Sequence, residues 1–88
     1  MTRDMTREQL KKIIVAILRD HEWVKKRQLV KDADDYYLDL GMDSIDEVEF
    51  FMDLEKEFSI SIPEEDVEKL NTVGKTLDYL LPKLNENG

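Results

Sequence analysis

The chain is predicted to be all-α: one 88-residue domain with three longer helices, a short third helix, and a long loop between helices one and two. Three observations lead there. Apolar residues recur at helical spacing in three segments. A side chain able to cap a helix (Thr6, Asp43 or Thr72) stands at the start of each. Pro63, Asn71 and Pro82 fall where one segment gives way to the next.

The first helix begins near Thr6, where Gln9 three residues on completes a capping-box pattern. Leu10, Ile13, Ile14, Ile17 and Leu18 form its apolar stripe, with Lys11, Lys12 and Arg19 on the other side. From about Asp20 to Leu40 no period holds, which predicts a long loop with at most one short helical turn. A loop of that length needs its own packed side chains. Trp23, Leu29, Val30, Tyr36, Leu38 and Leu40 are the candidates. The second helix spans about Ser44 to Phe58, capped by Asp43, with Asp46 adding favourable charge in its first turn. Ser59-Ile60-Ser61-Ile62 is an extended link, and Pro63 opens a short third helix ending near Leu70. Thr72 caps a fourth helix through about Leu81, with Val73, Leu77, Leu80 and Leu81 inward, and Pro82 ends or frays it. The ordered core is expected over about residues 6–82 of the single domain 1–88, with a flexible tail at 83–88.

Composition narrows the function. Thirteen basic and 21 acidic residues give a net charge of −8, a surface that repels nucleic acid and attracts proteins with basic patches. No cysteine is present, so disulfides and thiolate metal sites are excluded. No apolar run is long enough to insert across a membrane. No secretory pattern follows Met1-Thr2-Arg3-Asp4, so a cytoplasmic monomer is expected.

At about 100° per residue, the second helix separates into three arcs. Phe50, Phe51, Leu54 and Phe58 form a core stripe. Asp46, Glu49, Asp53 and Glu57 form an acidic arc. Ile45, Val48 and Met52, with Glu55 beside them, form a second apolar strip away from the first. A helix in a monomer needs one apolar face, so the second strip is either a widened core face or a docking surface, and the flanking carboxylates favour docking. Ser44 stands at the mouth of this helix among carboxylates, without catalytic apparatus. That is a poor setting for a nucleophile and a good attachment point, where backbone N–H groups and the helix dipole would favour an anion; by position alone, however, Ser44 reads as an ordinary serine at a helix start.

The run Asp39-Leu40-Gly41-Met42-Asp43-Ser44-Ile45-Asp46-Glu47-Val48-Glu49 resembles the prosthetic-group site of the acyl carrier proteins. Leu54-Glu55-Lys56-Glu57-Phe58, Ile60-Ser61-Ile62-Pro63-Glu64-Glu65-Asp66 and Thr72-Val73-Gly74 continue the resemblance in register. It spans about Thr6 to Leu81 and is strongest from Asp39 to Gly74. The resemblance implies a four-helix bundle that carries acyl chains as thioesters on 4'-phosphopantetheine. The group would be attached to Ser44, flanked by Asp43 and Ile45, and donated by coenzyme A through a phosphopantetheinyl transferase. The apolar strip and the acidic arc of the second helix are expected to dock partners, through Ile45, Asp46, Val48, Glu49, Met52, Asp53 and Glu55. Acyl-transfer and chain-elongation enzymes with basic patches would be the other partners. The chain would present substrate and catalyse nothing. Fatty-acid biosynthesis, or a related polyketide-like or lipid-modifying pathway, is the setting implied.

The chain departs from that family in three places. Ile45 replaces the commoner leucine. Phe50-Phe51 is bulkier than the usual aliphatic pair, which reshapes an acyl-binding interior. His21-Glu22-Trp23-Val24-Lys25-Lys26-Arg27 is more basic and aromatic than is typical.

Other readings carry less. A calcium loop starting at Asp32 would need glycine and glutamate where Tyr37 and Asp43 stand, so no metal site is expected. His21 is the only histidine, and no Ser-His-Asp arrangement surrounds Ser44. Lys25-Lys26-Arg27 is too short within an acidic chain to indicate nucleic-acid binding. The competing function is an unmodified acidic helical adaptor that binds a basic protein. Composition and periodicity fit it equally well.

Overall fold

Each helix is defined by what happens at its ends. A computed structural model describes residues 4–86 of the chain. Helix α1 spans Arg7–Asp20, α2 Ser44–Phe58, α3 Glu64–Val67 and α4 Val73–Asn85. Thr6 accepts from the Gln9 N–H at 3.1 Å while the Gln9 side chain accepts from the Thr6 N–H at 2.9 Å, so the expected capping box is present. Such a cap stabilises a helix by about 1 kcal/mol. Thr72 accepts from the Lys75 N–H at 3.1 Å and starts α4 in the same way. Pro63 stands just ahead of α3, which ends earlier than Leu70. Leu70 itself is buried.

Helix α4 does not stop before Pro82. It runs through it to Asn85, past the end expected at Leu81. Proline removes one backbone donor, but tertiary contacts compensate. Leu84 packs on the core. Asn85 clamps the start of the chain, accepting from the Met5 N–H at 2.8 Å and donating to the Met5 carbonyl at 3.1 Å. The last residues of the expected tail, Asn87 and Gly88, lie outside the described residues.

The long loop is a set of closed turns rather than a helix. Asp35 accepts from the N–H groups of Tyr37 at 2.8 Å and Leu38 at 3.0 Å, and Asp39 accepts from the Asp35 N–H at 2.7 Å. The loop is stitched to the start of α4. Tyr36 N–H donates to Asn71, Val73 N–H to Asp34, and Gly74 N–H to Asp32, the last at 2.7 Å. A Cβ at Gly74 would stand 3.0 Å from the Asp32 carbonyl, so glycine permits this close approach without displacing the loop. Asp32 also pairs with Arg7 and Lys11 of α1. The Lys11 ammonium, then Arg7, holds its carboxyl below the usual range.

Tyr36 is the loop's anchor. It is fully buried, with its hydroxyl 2.6 Å from that of Thr76 on α4. Burial pushes its phenol well above the ordinary value. Val30, Leu40 and Trp23 also pack inward. Leu29 and Leu38 do not: they are 78% and 86% exposed, and Leu38 lies in the turn that Asp35 closes. Val24 and Met42, not expected as anchors, are buried instead.

The core lies where α1 meets α2 and α4. Leu10, Ile14 and Leu18 of α1 are fully buried; Ile13 and Ile17 are half-buried at the stripe's edge. Phe50, Phe51 and Leu54 of α2 are buried and Phe58 half-buried, close to the expected stripe. Tyr36, Phe50 and Phe51 form one aromatic cluster with centroid separations of 5.1 to 6.1 Å. Among the described residues, no helix is long and apolar enough to cross a membrane.

Candidate functional site

The approach to Ser44 is built by three residues. Leu40 and Met42 are buried, and Gly41 between them takes the left-handed conformation, with φ +69°, that lets both face inward. Met42 N–H donates to the Tyr36 carbonyl at 2.9 Å, which fixes the chain as it leaves the core. Asp43 then caps α2, accepting from the Asp46 N–H at 2.8 Å. Asp46 returns the bond, accepting from the Asp43 N–H at 3.1 Å. Beyond the favourable charge expected of it, the short Asp46 side chain closes a reciprocal box.

Ser44 is the first residue of α2 and is exposed. The capping box engages the N–H groups of Asp43 and Asp46, and Glu47 N–H donates to the Asp43 carbonyl. Among the described residues, the N–H groups of Ser44 and Ile45 meet no protein acceptor. A phosphodiester on Ser44 therefore fits: its hydroxyl is open to solvent, and two free donors face an anion at the positive end of the helix dipole. These N–H groups and the Asp43 and Asp46 side chains that hold the turn are what this chain offers the group. Among the described residues, no histidine pairs with a residue of this turn. The only histidine, His21, pairs with Asp53, about 13 Å along the helix from Ser44.

The two apolar faces of α2 separate as expected. Ile45, Val48 and Met52 are 68%, 56% and 49% exposed, opposite in fate to Phe50 and Leu54. Val48 and Met52 border Ile62 and Val67 across a hollow of about 180 Å³. The acidic residues around the strip differ from one another. Glu49 is exposed. Asp46 serves the cap. Glu55 accepts from the Ile62 N–H at 2.7 Å and ties the link after α2. Asp53 holds His21, which stacks on Trp23 at 4.3 Å. Three of the expected docking carboxylates thus also hold the fold together.

One contact at the site has no counterpart in the sequence pattern. Tyr37 donates to Glu47 at 2.7 Å, fastening the loop to the first turn of α2 beside Ser44. That bond, with the nearby carboxylates, pushes its phenol up to about 12. No periodic signal carries a loop-to-helix contact of this kind.

Comparison with known proteins agrees with this geometry. A family model described as the phosphopantetheine attachment site matches residues 8–80. The chain is 42% identical over 79 residues to an acyl carrier protein of Chlorobium phaeobacteroides, covering 90% of this chain and 100% of the relative. It is 40% identical to one of Chlorobium phaeovibrioides over the same shares. It is 43% identical over 76 residues to one of Buchnera aphidicola, covering 86% of this chain and 89% of the relative. The match decides between carrier and unmodified adaptor in favour of the carrier. Proteins of this kind hold 4'-phosphopantetheine covalently and carry acyl groups, usually in fatty-acid biosynthesis. On that match across most of its length, and on its four-helix fold, the chain belongs to the acyl carrier protein family.

Proposed function

We propose that Ser44 bears the 4'-phosphopantetheine and that the chain presents acyl thioesters on it. The observation that carries this reading is an exposed hydroxyl at the first position of α2, beside two backbone donors without protein partners. In the loading step, a bond forms between the Ser44 oxygen and phosphorus as a P–O bond within the diphosphate of coenzyme A breaks. The nucleotide half leaves. The hydroxyl proton passes to a base of the transferase.

Residues 1–88 act as one carrier domain in this reading, without catalysis of their own. Ile45, Val48 and Met52 supply the apolar part of the docking surface, and Glu49 its freest charge, with Asp46, Asp53 and Glu55 contributing to the field. The partners are the transferase and acyl-transfer and elongation enzymes with basic patches, met by a cytoplasmic monomer. Intact mass after incubation with transferase and coenzyme A tests the site. The native chain should gain about 340 Da and the Ser44→Ala chain nothing. Loading of the Ser44→Ala chain would place the group elsewhere.

A further inference from the structure

The charge of this chain is divided along its length. Residues 1–31 hold nine Lys and Arg against four Asp and Glu, a net +5, while residues 32–88 hold four against 17, a net −13. Arg7 and Lys11 are engaged by Asp32. Lys12, Arg19, Lys25, Lys26, Arg27 and Lys31 are in no ion pair among the described residues. In their midst Leu29 is 78% exposed. It lines, with Lys12, Val15 and Arg19, an open hollow of about 520 Å³ between α1 and the loop. Glu8 is the acidic residue at that hollow.

This face is separate from the α2 surface. Ile17 and Asp20 face α2 across the hollow they share with Asp53. Val15 and Arg19 lie roughly 160° around α1 from Ile17. The exposed strip of α2 borders Ile62 and Val67 instead, so the two surfaces share no residue.

We propose that the α1–loop face rests on an anionic phospholipid bilayer, with the six cations over headgroup phosphates and Leu29 among the glycerol and upper acyl groups. Charge complementarity selects an anionic surface. Breadth favours a bilayer over a protein: the cations are spread along α1 and the loop around one protruding leucine, as a plane of phosphate over hydrocarbon requires. The net charge of −8 does not forbid it. The shortest extent of the molecule is 21 Å. Glu8 and Glu22 lie among the cations, but salt screens charge over about 8–10 Å, so carboxylates farther than that from the bilayer are largely hidden from it. A carrier held this way would keep its α2 surface free for enzymes. The proposal stands apart from the assignment of Ser44.

The unmodified full chain, floated with vesicles, tests it. Binding is expected with phosphatidylcholine containing about a quarter phosphatidylglycerol, not with phosphatidylcholine alone, and should be released by about 0.5 M salt. The triple variant Lys25→Glu, Lys26→Glu, Arg27→Glu should lower the bound fraction at least about tenfold. Leu29→Ser should lower it about two- to fivefold while leaving the salt dependence in place. Both variants should keep the thermal melt and the mass gain on loading. Should the triple variant fail to fold, the lipid and salt comparisons on the native chain still decide. Absence of binding to anionic vesicles, equal binding to neutral ones, or indifference to salt would overturn the proposal. Displacement by inorganic phosphate at matched ionic strength would reassign the face to a free phosphate. Salt-sensitive self-association without vesicle binding would reassign it to an acidic protein surface.

Discussion

Tyr36 and Thr76 show how much rests on one buried pair. Thr76 is fully buried, and besides meeting the Tyr36 hydroxyl at 2.6 Å it donates to the Thr72 carbonyl at 3.0 Å. Removing the two partners is therefore not equivalent. Thr76→Val leaves a buried phenol without its partner and should cost about 1–3 kcal/mol, whereas Tyr36→Phe leaves threonine still bonded and should cost about 1 kcal/mol. Urea unfolding of the two variants checks the order. The tyrosines also make an alkaline signature. Tyr36 is raised by burial, Tyr37 to about 12 chiefly by its bond to Glu47, and Tyr79 to about 12 by burial and Asp66. A raised folded value stabilises fully below the unfolded value of about 10 and is lost as pH climbs through the folded one. Phenolate absorbance should therefore show no tyrosine titrating near 10 in the folded chain. The tyrosines' contribution to stability should be lost only above that pH.

At the scale of the element, α2 carries two apolar faces, one buried and one exposed. Leu54→Ala or Phe50→Ala should cost about 2–5 kcal/mol, because both side chains are fully buried. Val48→Ala and Met52→Ala should stay within about 0.5 kcal/mol of the native chain. The same two variants should slow turnover by partner enzymes while remaining folded. Melting temperature and loading rate, measured together, check the separation. Charge on this helix has to be read with the fold in view. Glu49→Lys tests steering cleanly because Glu49 is exposed. Its expected effect is a raised KM for loading that shrinks as salt is added. Reversal at Asp53 would also break its pairing with His21. The end of α4 makes a similar point: Asn85→Ala should lose the Met5 clamp, at a cost of about 1 kcal/mol.

For the whole molecule, Asp32 is the residue that gathers distant segments. Its carboxylate meets Arg7 and Lys11 of α1, and its carbonyl accepts from Gly74 at the start of α4. Its depressed folded value stabilises the fold above the ordinary carboxylate range, and that contribution is lost as pH falls through the lower folded value. Asp32→Asn should therefore be less stable than the native chain at pH 7. The difference should vanish in acid, as urea midpoints across pH would show. The carbonyl contact is retained in that variant, so the change isolates the carboxylate.

Much of this was legible in the amino-acid order because it is local. The stripe of α1, the caps at Thr6, Asp43 and Thr72, and the two faces of α2 depend on spacings of three and four residues, which any helix enforces. The place of Ser44 at the head of α2 follows from the cap before it. The rest depends on contacts between residues far apart in the chain. Leu29 and Leu38 are as apolar as Leu40, yet only Leu40 is buried, because the turns set by Asp35 and the register against Asn71 and Val73 choose which side chains face the core. Proline at position 82 argues locally for an end, and the packing of Leu84 and the Asn85–Met5 clamp override it. Tyr37 on Glu47 and His21 on Asp53 join loop to helix across the fold. Local order therefore set the helices and the serine between them. Tertiary packing decided which loop residues close the core and which acidic residues of α2 are left free.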